Sequence, residues 1–267
     1  MSMRDAFGRE ITYLRVSVTD RCNLRCRYCM PEDGIKLLSH DDILSFERIE
    51  EIVRVAARLG ITKIRLTGGE PLARRGIVEL VAKLGSVPGL SLLAMTTNGT
   101  MLAPIASALA AAGLGSVNIS LDTLDPERYR YLTRRGNIED AFEGIAAAIG
   151  AGLAVKINMV VMEDTVEGDI IAMRDFAASR GAGFQTISRY SLQEMKKDGD
   201  EFDRPPPCSA CNRIRLLANG VLRSCLHSDI DIKVDFGDIE GSIRAAIAGK
   251  PAHGAVSSTL SVGQIGG

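Results

Sequence analysis

The stretch Tyr13-Leu14-Arg15-Val16-Ser17-Val18-Thr19-Asp20-Arg21-Cys22-Asn23-Leu24-Arg25-Cys26-Arg27-Tyr28-Cys29 begins as a strand and ends as a set of ligands. Tyr13–Val18 is short, β-branched and apolar at alternate positions, which predicts a strand. The same unit, a strand running into a loop of small and polar residues, recurs down the chain. Further strands are predicted at Lys63–Thr67, Leu90–Met95, Ser116–Leu121, Val155–Val161 and Phe184–Ser188. Amphipathic helices are predicted between them, at Ser45–Leu59, Gly76–Leu84, Ala103–Ala112, Ile138–Ala151 and Glu167–Arg180. In the first helix Phe46, Ile49, Ile52, Val53 and Ala56 share one face. Gly60, Gly113, Gly152 and Gly181 stand where a left-handed residue ends a helix.

Strand–helix repetition implies parallel strands joined by right-handed crossovers. Six units predict an incomplete (β/α)6 TIM-type barrel, with an open doubly wound sheet as the alternative. A barrel carries its chemistry at the C-terminal ends of its strands, where Cys22–Cys29, Thr67–Pro71, Thr96–Gly99 and Asn118–Asp122 all fall. The pattern stops after Ser188. Residues 1–188 are therefore read as the partial barrel and 189–207, polar and ending in Pro205-Pro206-Pro207, as a linker or mobile loop. Residues 208–267 form a small C-terminal segment.

At 267 residues the chain is long enough for one large α/β unit. A net charge of -1 provides no global field toward nucleic acid or an anionic membrane. No apolar run is long enough to span a bilayer, and the N-terminal residues have no apolar signal core. A cytoplasmic protein is expected. All six cysteines fall in two triplets, and in a reducing compartment such clustering points to metal or cofactor binding rather than disulfides.

Cys22, Cys26 and Cys29 have Cys-x3-Cys-x2-Cys spacing. Three thiolates hold three irons of a [4Fe–4S] cluster and leave the fourth iron open, whereas clusters that only pass electrons usually have four cysteines. A zinc site, which normally takes four ligands, is the alternative. The spacing, with Tyr28 before the third cysteine, resembles that of the radical S-adenosylmethionine (SAM) superfamily. The resemblance implies that SAM binds the open iron and is cleaved to methionine and a 5′-deoxyadenosyl radical, while the protein positions and shields that chemistry. It also implies SAM contacts from Tyr28, from Gly68, Gly69 and Glu70 in Thr67-Gly68-Gly69-Glu70-Pro71, and from Thr96 and Ser120. The two glycines permit close backbone approach, and the Glu70 carboxylate can accept from an ammonium.

The second triplet is Cys208-Ser209-Ala210-Cys211 with Cys225, a Cys-x2-Cys-x13-Cys pattern. It suggests a second cluster with an open iron; a zinc site completed by His227 is the alternative. In an extended segment Arg213 and Arg215 share one face. Paired guanidiniums suit an anion such as a phosphate.

The arrangement resembles the GTP 3′,8-cyclase family of molybdenum-cofactor (molybdopterin) synthesis. The resemblance runs through Leu14–Asp20, Cys29-Met30-Pro31, Thr67–Pro71, Lys156-Ile157-Asn158 and Cys211–Leu216 to the final Ile265-Gly266-Gly267. It implies two [4Fe-4S] clusters, and GTP bound by Arg15, Lys63, Lys156, Arg213 and Arg215. It implies hydrogen abstraction at the ribose 3′ carbon, bonding of that carbon to C8, and catalytic roles for Arg15, Arg213, Arg215, Gly266 and Gly267. An electron donor such as flavodoxin or ferredoxin is expected as a partner, with no nucleic acid and no membrane, and a homodimer is compatible. The chain departs from the family in length before Cys208 and around 231–241. It also lacks the family's usual arginine at the start of the sixth strand, where Ala182-Gly183-Phe184-Gln185-Thr186-Ile187 stands, with Arg189 nearby. A cyclase-like paralogue acting on another nucleotide or a peptide is the competing reading, and a non-enzymatic cluster or zinc protein a third.

Overall fold

The computed structural model describes residues 3–189, 192, 196, 203 and 207–257. One nine-stranded sheet organises it. Six strands follow the predicted sequence: β1 (Tyr13–Ser17), β2 (Lys63–Thr67), β3 (Leu92–Thr97), β4 (Ser116–Ser120), β5 (Ala154–Val161) and β6 (Gly183–Ser188). Each pairs in parallel with the next. The helices are α1 (Phe46–Arg58), α2 (Ile77–Gly85), α3 (Ala106–Ala111), α4 (Pro126–Thr133), α5 (Ile138–Gly150), α6 (Glu167–Ser179) and α7 (Ile239–Ala248). The predicted 103–112 helix is instead a 3₁₀ turn, Ala103–Ile105, followed by α3. The 90–95 strand starts two residues later than predicted, at Leu92, where pairing with Lys63 begins.

Strand order is β6-β5-β4-β3-β2-β1-β7-β8-β9. Through the first six strands the order never reverses, whereas a doubly wound sheet reverses at its switch point. The alternation along each strand explains the difference. Leu14, Val16, Ile64, Leu66, Leu93, Met95, Val117, Ile119, Ile157 and Met159 point outward into the core beneath the helices. Arg15, Arg65, Thr67, Asn118, Asn158 and Gln185 point the other way and line a cavity. A parallel sheet packed on both faces reads as continuous apolar runs; this one alternates because its inner face is a polar wall. The result is the incomplete TIM-type barrel.

On α1, Ile49, Ile52, Val53 and Ala56 are fully buried. Each of the three larger side chains contributes roughly 1.5–3 kcal/mol on leaving water. Ser45 caps the helix by accepting from Arg48 N at 3.3 Å. The glycines after α1, α3, α5 and α6 have φ of 95°, 100°, 78° and 68°, the left-handed conformation expected of them.

Beyond the predicted elements, α4 starts at Pro126 with Asp125 accepting from Arg128 N at 2.9 Å. The C-terminal segment contributes β7 (Arg213–Leu216), β8 (Val221–Arg223), β9 (Asp231–Lys233) and α7. Strand β7 lies parallel to β1, with Tyr13 opposite Arg213 and Arg15 opposite Arg215. Strands β8 and β9 run antiparallel. The predicted 189–207 linker lies mostly outside the described residues, as do Gly266 and Gly267.

Candidate active site

The parallel pairing of β1 with β7 fixes where the two cysteine triplets stand. Cys22, Cys26 and Cys29 follow the C-terminal end of β1. Cys208 and Cys211 precede the N-terminal end of β7, and Cys225 follows antiparallel β8 at that same end. The triplets therefore lie beyond opposite ends of the barrel wall, whose strand β1 is itself about 13 Å long. Barrel chemistry is expected at the strand C-termini, and the second triplet departs from that rule.

A cavity of about 280 Å³ opens on the first triplet; the second triplet lines a separate one of about 70 Å³, and Arg213, Arg215 and Leu226 line both. The lining of the larger cavity includes Cys22, Cys26, Cys29, Tyr28, Gly68, Gly69, Glu70, Thr96 and Ser120 from the predicted cofactor set. Arg15, Lys63, Arg213 and Arg215 come from the predicted substrate set. Lys156 is not among the lining residues; it sits at the start of β5, on the same strand face as Asn158, with its side chain exposed. Arg189, beyond the end of β6, also lines the cavity. It arrives from the opposite end of that strand from the arginine usual in the family.

The loop carrying the first triplet is held tightly. Gly69 N donates to Thr19 O and Glu70 N to Arg21 O, both at 2.8 Å. A Cβ on Gly68 would stand 2.6 Å from Thr19 O, and one on Gly69 2.4 Å from Arg21 O. Only glycine permits that approach. Glu70 is braced within the site. Its carboxylate is buried and accepts from Leu72 N at 3.0 Å, Thr97 Oγ1 at 2.7 Å and Asn98 N at 2.7 Å. Two of these bonds fall on Oε1 and one on Oε2, so the carboxylate braces the Thr97-Asn98 turn and keeps acceptor capacity on Oε2. Burial pushes its pKa up to about 7, against those three hydrogen bonds. Tyr28 Oη donates to Asp122 Oδ2 at 2.6 Å, and Asp122 Oδ1 accepts from Val160 N at 2.8 Å. This ties the first triplet to the end of β4.

All six cysteines are free of disulfides. Leu24 N lies 3.4 Å and Asn98 Nδ2 4.0 Å from Cys22 Sγ. Gly254 N lies 3.4 Å from Cys208 Sγ, and Lys250 Nζ 3.6 Å from Cys211 Sγ. Such N–H donors suit thiolates ligating a cluster. The first triplet fits a cluster with one open iron, and the second fits another. Burial raises the thiols of Cys22, Cys26 and Cys29, the last to about 12, so loading a cluster there must displace protons. Burial raises Cys211 too, but the Lys250 and Arg213 charges outweigh it and bring the thiol below its ordinary value.

Between the triplets the field is positive. Arg15, Lys63, Arg65, Arg213 and Arg215 all face the cavity. Burial and the neighbouring guanidiniums of Arg215, Arg213 and Arg65 press Arg15 down to about 9. Burial alone raises Tyr13, yet Arg15, Arg65, Arg213 and Lys63 together bring its phenol down to about 8. Both shifts record positive charge with too little negative charge beside it. Arg65 escaped the sequence reading. It is 7% exposed and donates to Tyr13 Oη and Met95 O at 2.9 Å, and to Thr96 Oγ1 at 3.4 Å. The signal was present, since Lys63, Arg65 and Thr67 alternate onto one face. Lys250, from beyond α7, was missed as well.

Comparison with known proteins agrees with this geometry. The Radical SAM superfamily matches residues 16–177. The GTP 3′,8-cyclase of Moorella thermoacetica is 43% identical, over 91% of this chain and 88% of its own. That of Thermodesulfovibrio yellowstonii is 43% identical, over 86% and 87%. Among solved structures, SuiB of Streptococcus suis bound to S-adenosylmethionine superposes with a TM-score of 0.70 at 15% identity, over 93% of this chain and 66% of SuiB. Methylornithine synthase gives 0.58 at 16% identity, over 94% and 72%. At those identities the likeness is one of fold. The chain belongs to the radical SAM superfamily. Within it, the chain is a member of the GTP 3′,8-cyclase family.

Proposed function

We propose that this protein converts GTP to (8S)-3′,8-cyclo-7,8-dihydroguanosine 5′-triphosphate, a step of molybdopterin biosynthesis, as a radical SAM lyase. The observation that carries the reading is the cavity of five cations that opens on the first cysteine triplet and shares Arg213 and Arg215 with the smaller pocket of the second. A nucleoside triphosphate meets both demands of such a chamber: its phosphates offset the guanidiniums, and its base and ribose span from one triplet toward the other. In this assignment residues 1–188 form the SAM-binding barrel and 208–267 the second-cluster segment.

Cys22, Cys26 and Cys29 would hold the first [4Fe–4S] cluster, with SAM beside Tyr28, Gly68, Gly69, Glu70, Thr96 and Ser120. Cys208, Cys211 and Cys225 would hold the second. When bound, the first cluster and SAM would supply the radical chemistry for hydrogen abstraction at C3′ of GTP, and closure of C3′ onto C8 would take up one further electron and one proton. The residues around them bind and orient. Arg15 and Arg215, side by side on β1 and β7, present a double fork to a phosphate. Arg213 and Lys63 extend the positive wall at the strand N-termini, and Lys156 extends it to the exposed rim. Arg65 holds Thr96 and Tyr13 in place. Gly266 and Gly267 are proposed as the tail that assists. An electron donor such as flavodoxin or ferredoxin, a cytoplasmic setting and a homodimeric state complete the proposal.

The test is anaerobic reconstitution with iron and sulfide counted per chain, then turnover of each nucleoside triphosphate with SAM and a reductant. The expected result is a cyclised product from GTP alone, with matching 5′-deoxyadenosine. 5′-Deoxyadenosine without any GTP product in a fully loaded enzyme would reject the substrate assignment and favour a paralogue.

A further inference from the structure

Lys250 lies just beyond α7 and is 3% exposed. Among the described residues no ion pair joins it to a carboxylate. Its ammonium has three donors, and each is directed at one acceptor: Arg213 O at 2.7 Å, Ser224 O at 2.9 Å and Cys211 Sγ at 3.6 Å. Two of these are neutral carbonyls. A buried ammonium held by carbonyls alone is costly, and the third partner is the one that can carry negative charge.

The chain on either side of Lys250 is fixed. Arg9, itself bonded to buried Asp5 at 2.6 Å, donates to Pro251 O at 2.6 Å, Ala252 O at 3.2 Å and Cys208 O at 2.9 Å. Four residues on, Gly254 N donates to Cys208 Sγ at 3.4 Å. A Cβ on Gly254 would lie 3.5 Å from Cys225 Sγ. Residues 250–254 thus form a belt that passes all three cysteines of the second triplet and is tied at its middle by the N-terminal segment.

We propose that Lys250 is a positioning residue of the second cluster: it holds Cys211 Sγ in place for ligation and, as a fixed positive charge and N–H donor at that sulfur, raises the cluster's reduction potential. Cluster potential responds to net charge and to hydrogen bonds on the sulfurs, and the reduced, more negative state gains most from both. The same ammonium binds the carbonyl of Arg213, so cluster ligand and substrate-facing arginine are set by one group. The inference rests on the second triplet holding a cluster.

The experiment uses the full chain with Cys22, Cys26 and Cys29 replaced by alanine, so that all iron reports the second site. Iron and sulfide are counted, the potential is measured by an EPR-monitored redox titration, and iron release to a chelator is timed. Lys250→Met should move the potential to a more negative value and loosen the iron by about 10–100-fold, as loss of an outer partner does. Lys250→Gln, which keeps an N–H donor without the charge, should also shift the potential negative, by less. If Lys250→Met fails to retain iron, the Lys250→Gln titration decides. A fully loaded variant with the parent's potential would overturn the proposal, because a purely structural lysine would leave the potential unmoved. A parent chain that binds no iron would instead reject the second-cluster reading, and this inference with it.

Discussion

Replacing Gly69 by alanine tests how the first triplet is positioned. The added Cβ would stand 2.4 Å from Arg21 O, 2.5 Å from Arg21 C and 2.9 Å from Asp20 O, where an ordinary heavy-atom contact is about 3.5 Å. Every atom met is backbone, so no side chain can swing aside, and one of the two segments must retreat by roughly 1 Å. Arg21 is bonded to Cys22, so the retreat is felt at the first ligand. The ladder of Gly69 N to Thr19 O and Glu70 N to Arg21 O opens as well. A displacement of that size at a reacting centre costs about 100-fold in rate, or about 2.7 kcal/mol of barrier. The assay is anaerobic 5′-deoxyadenosine formation, normalised to iron per chain, with Gly168→Ala as the control. A Cβ on Gly168 meets nothing within 4 Å, and in α6 the control should be neutral or stabilise by up to about 1 kcal/mol. A wild-type rate in iron-loaded Gly69→Ala would refute the idea that backbone closeness places Cys22.

Four further outcomes are expected. A spectrophotometric titration should show one tyrosine ionising near pH 8, absent in Tyr13→Phe. Because the folded phenol is depressed below its usual value of 10.0, its contribution to stability is present in full above that pH and is lost as pH falls to about 8; urea midpoints of wild type minus Tyr13→Phe across that window check the sign. Inorganic triphosphate should raise the melting temperature more than inorganic phosphate does, and Arg15→Met should remove most of the gain. Cys26→Ala should abolish SAM cleavage, whereas Cys208→Ala should retain part of it and lose GTP conversion; equal loss in both would contradict the division between the two triplets. Lys63→Met, at a residue lining the cavity, should raise KM for GTP more than Lys156→Met at the exposed rim, measured by steady-state kinetics.

The strands of the barrel were legible because each carries its own period-two signal, and the six βα units were long enough for the helical period to register. The C-terminal strands were not, being three or four residues long: Val221–Arg223 and Asp231–Lys233 hold too few side chains for any pattern. Sequence also could not show that Arg213-Ile214-Arg215-Leu216 lies beside β1, since that pairing joins residues some two hundred positions apart. Placing the second triplet at the far end of the barrel depends on that pairing. The two cysteine triplets were readable because cysteine spacing is a local property. Lys250 and Arg9 were not, because a lone lysine after a helix and a lone arginine near the start gain meaning only from the loop they meet. The residue type of Glu70 announces an acceptor, but only the fold shows that Leu72, Thr97 and Asn98 donate to it.

The seating of β7 alongside β1 also imposes an order of construction. Until the last quarter of the chain emerges, β1 is an edge strand with one row of backbone donors and acceptors open to any passing chain. Contacts between such distant segments form late and slowly. The loop bearing Cys22, Cys26 and Cys29 and its Gly68-Gly69 partner belong wholly to the first 70 residues, so that ligand set is complete early in synthesis. The cradle for the substrate and its second iron site comes into being only when the C-terminal strands close over that edge. This sets an interval in which the barrel half waits beside an unpaired strand, and it marks the docking of β7 as the step that a chaperone or a cluster-delivery protein would have to attend.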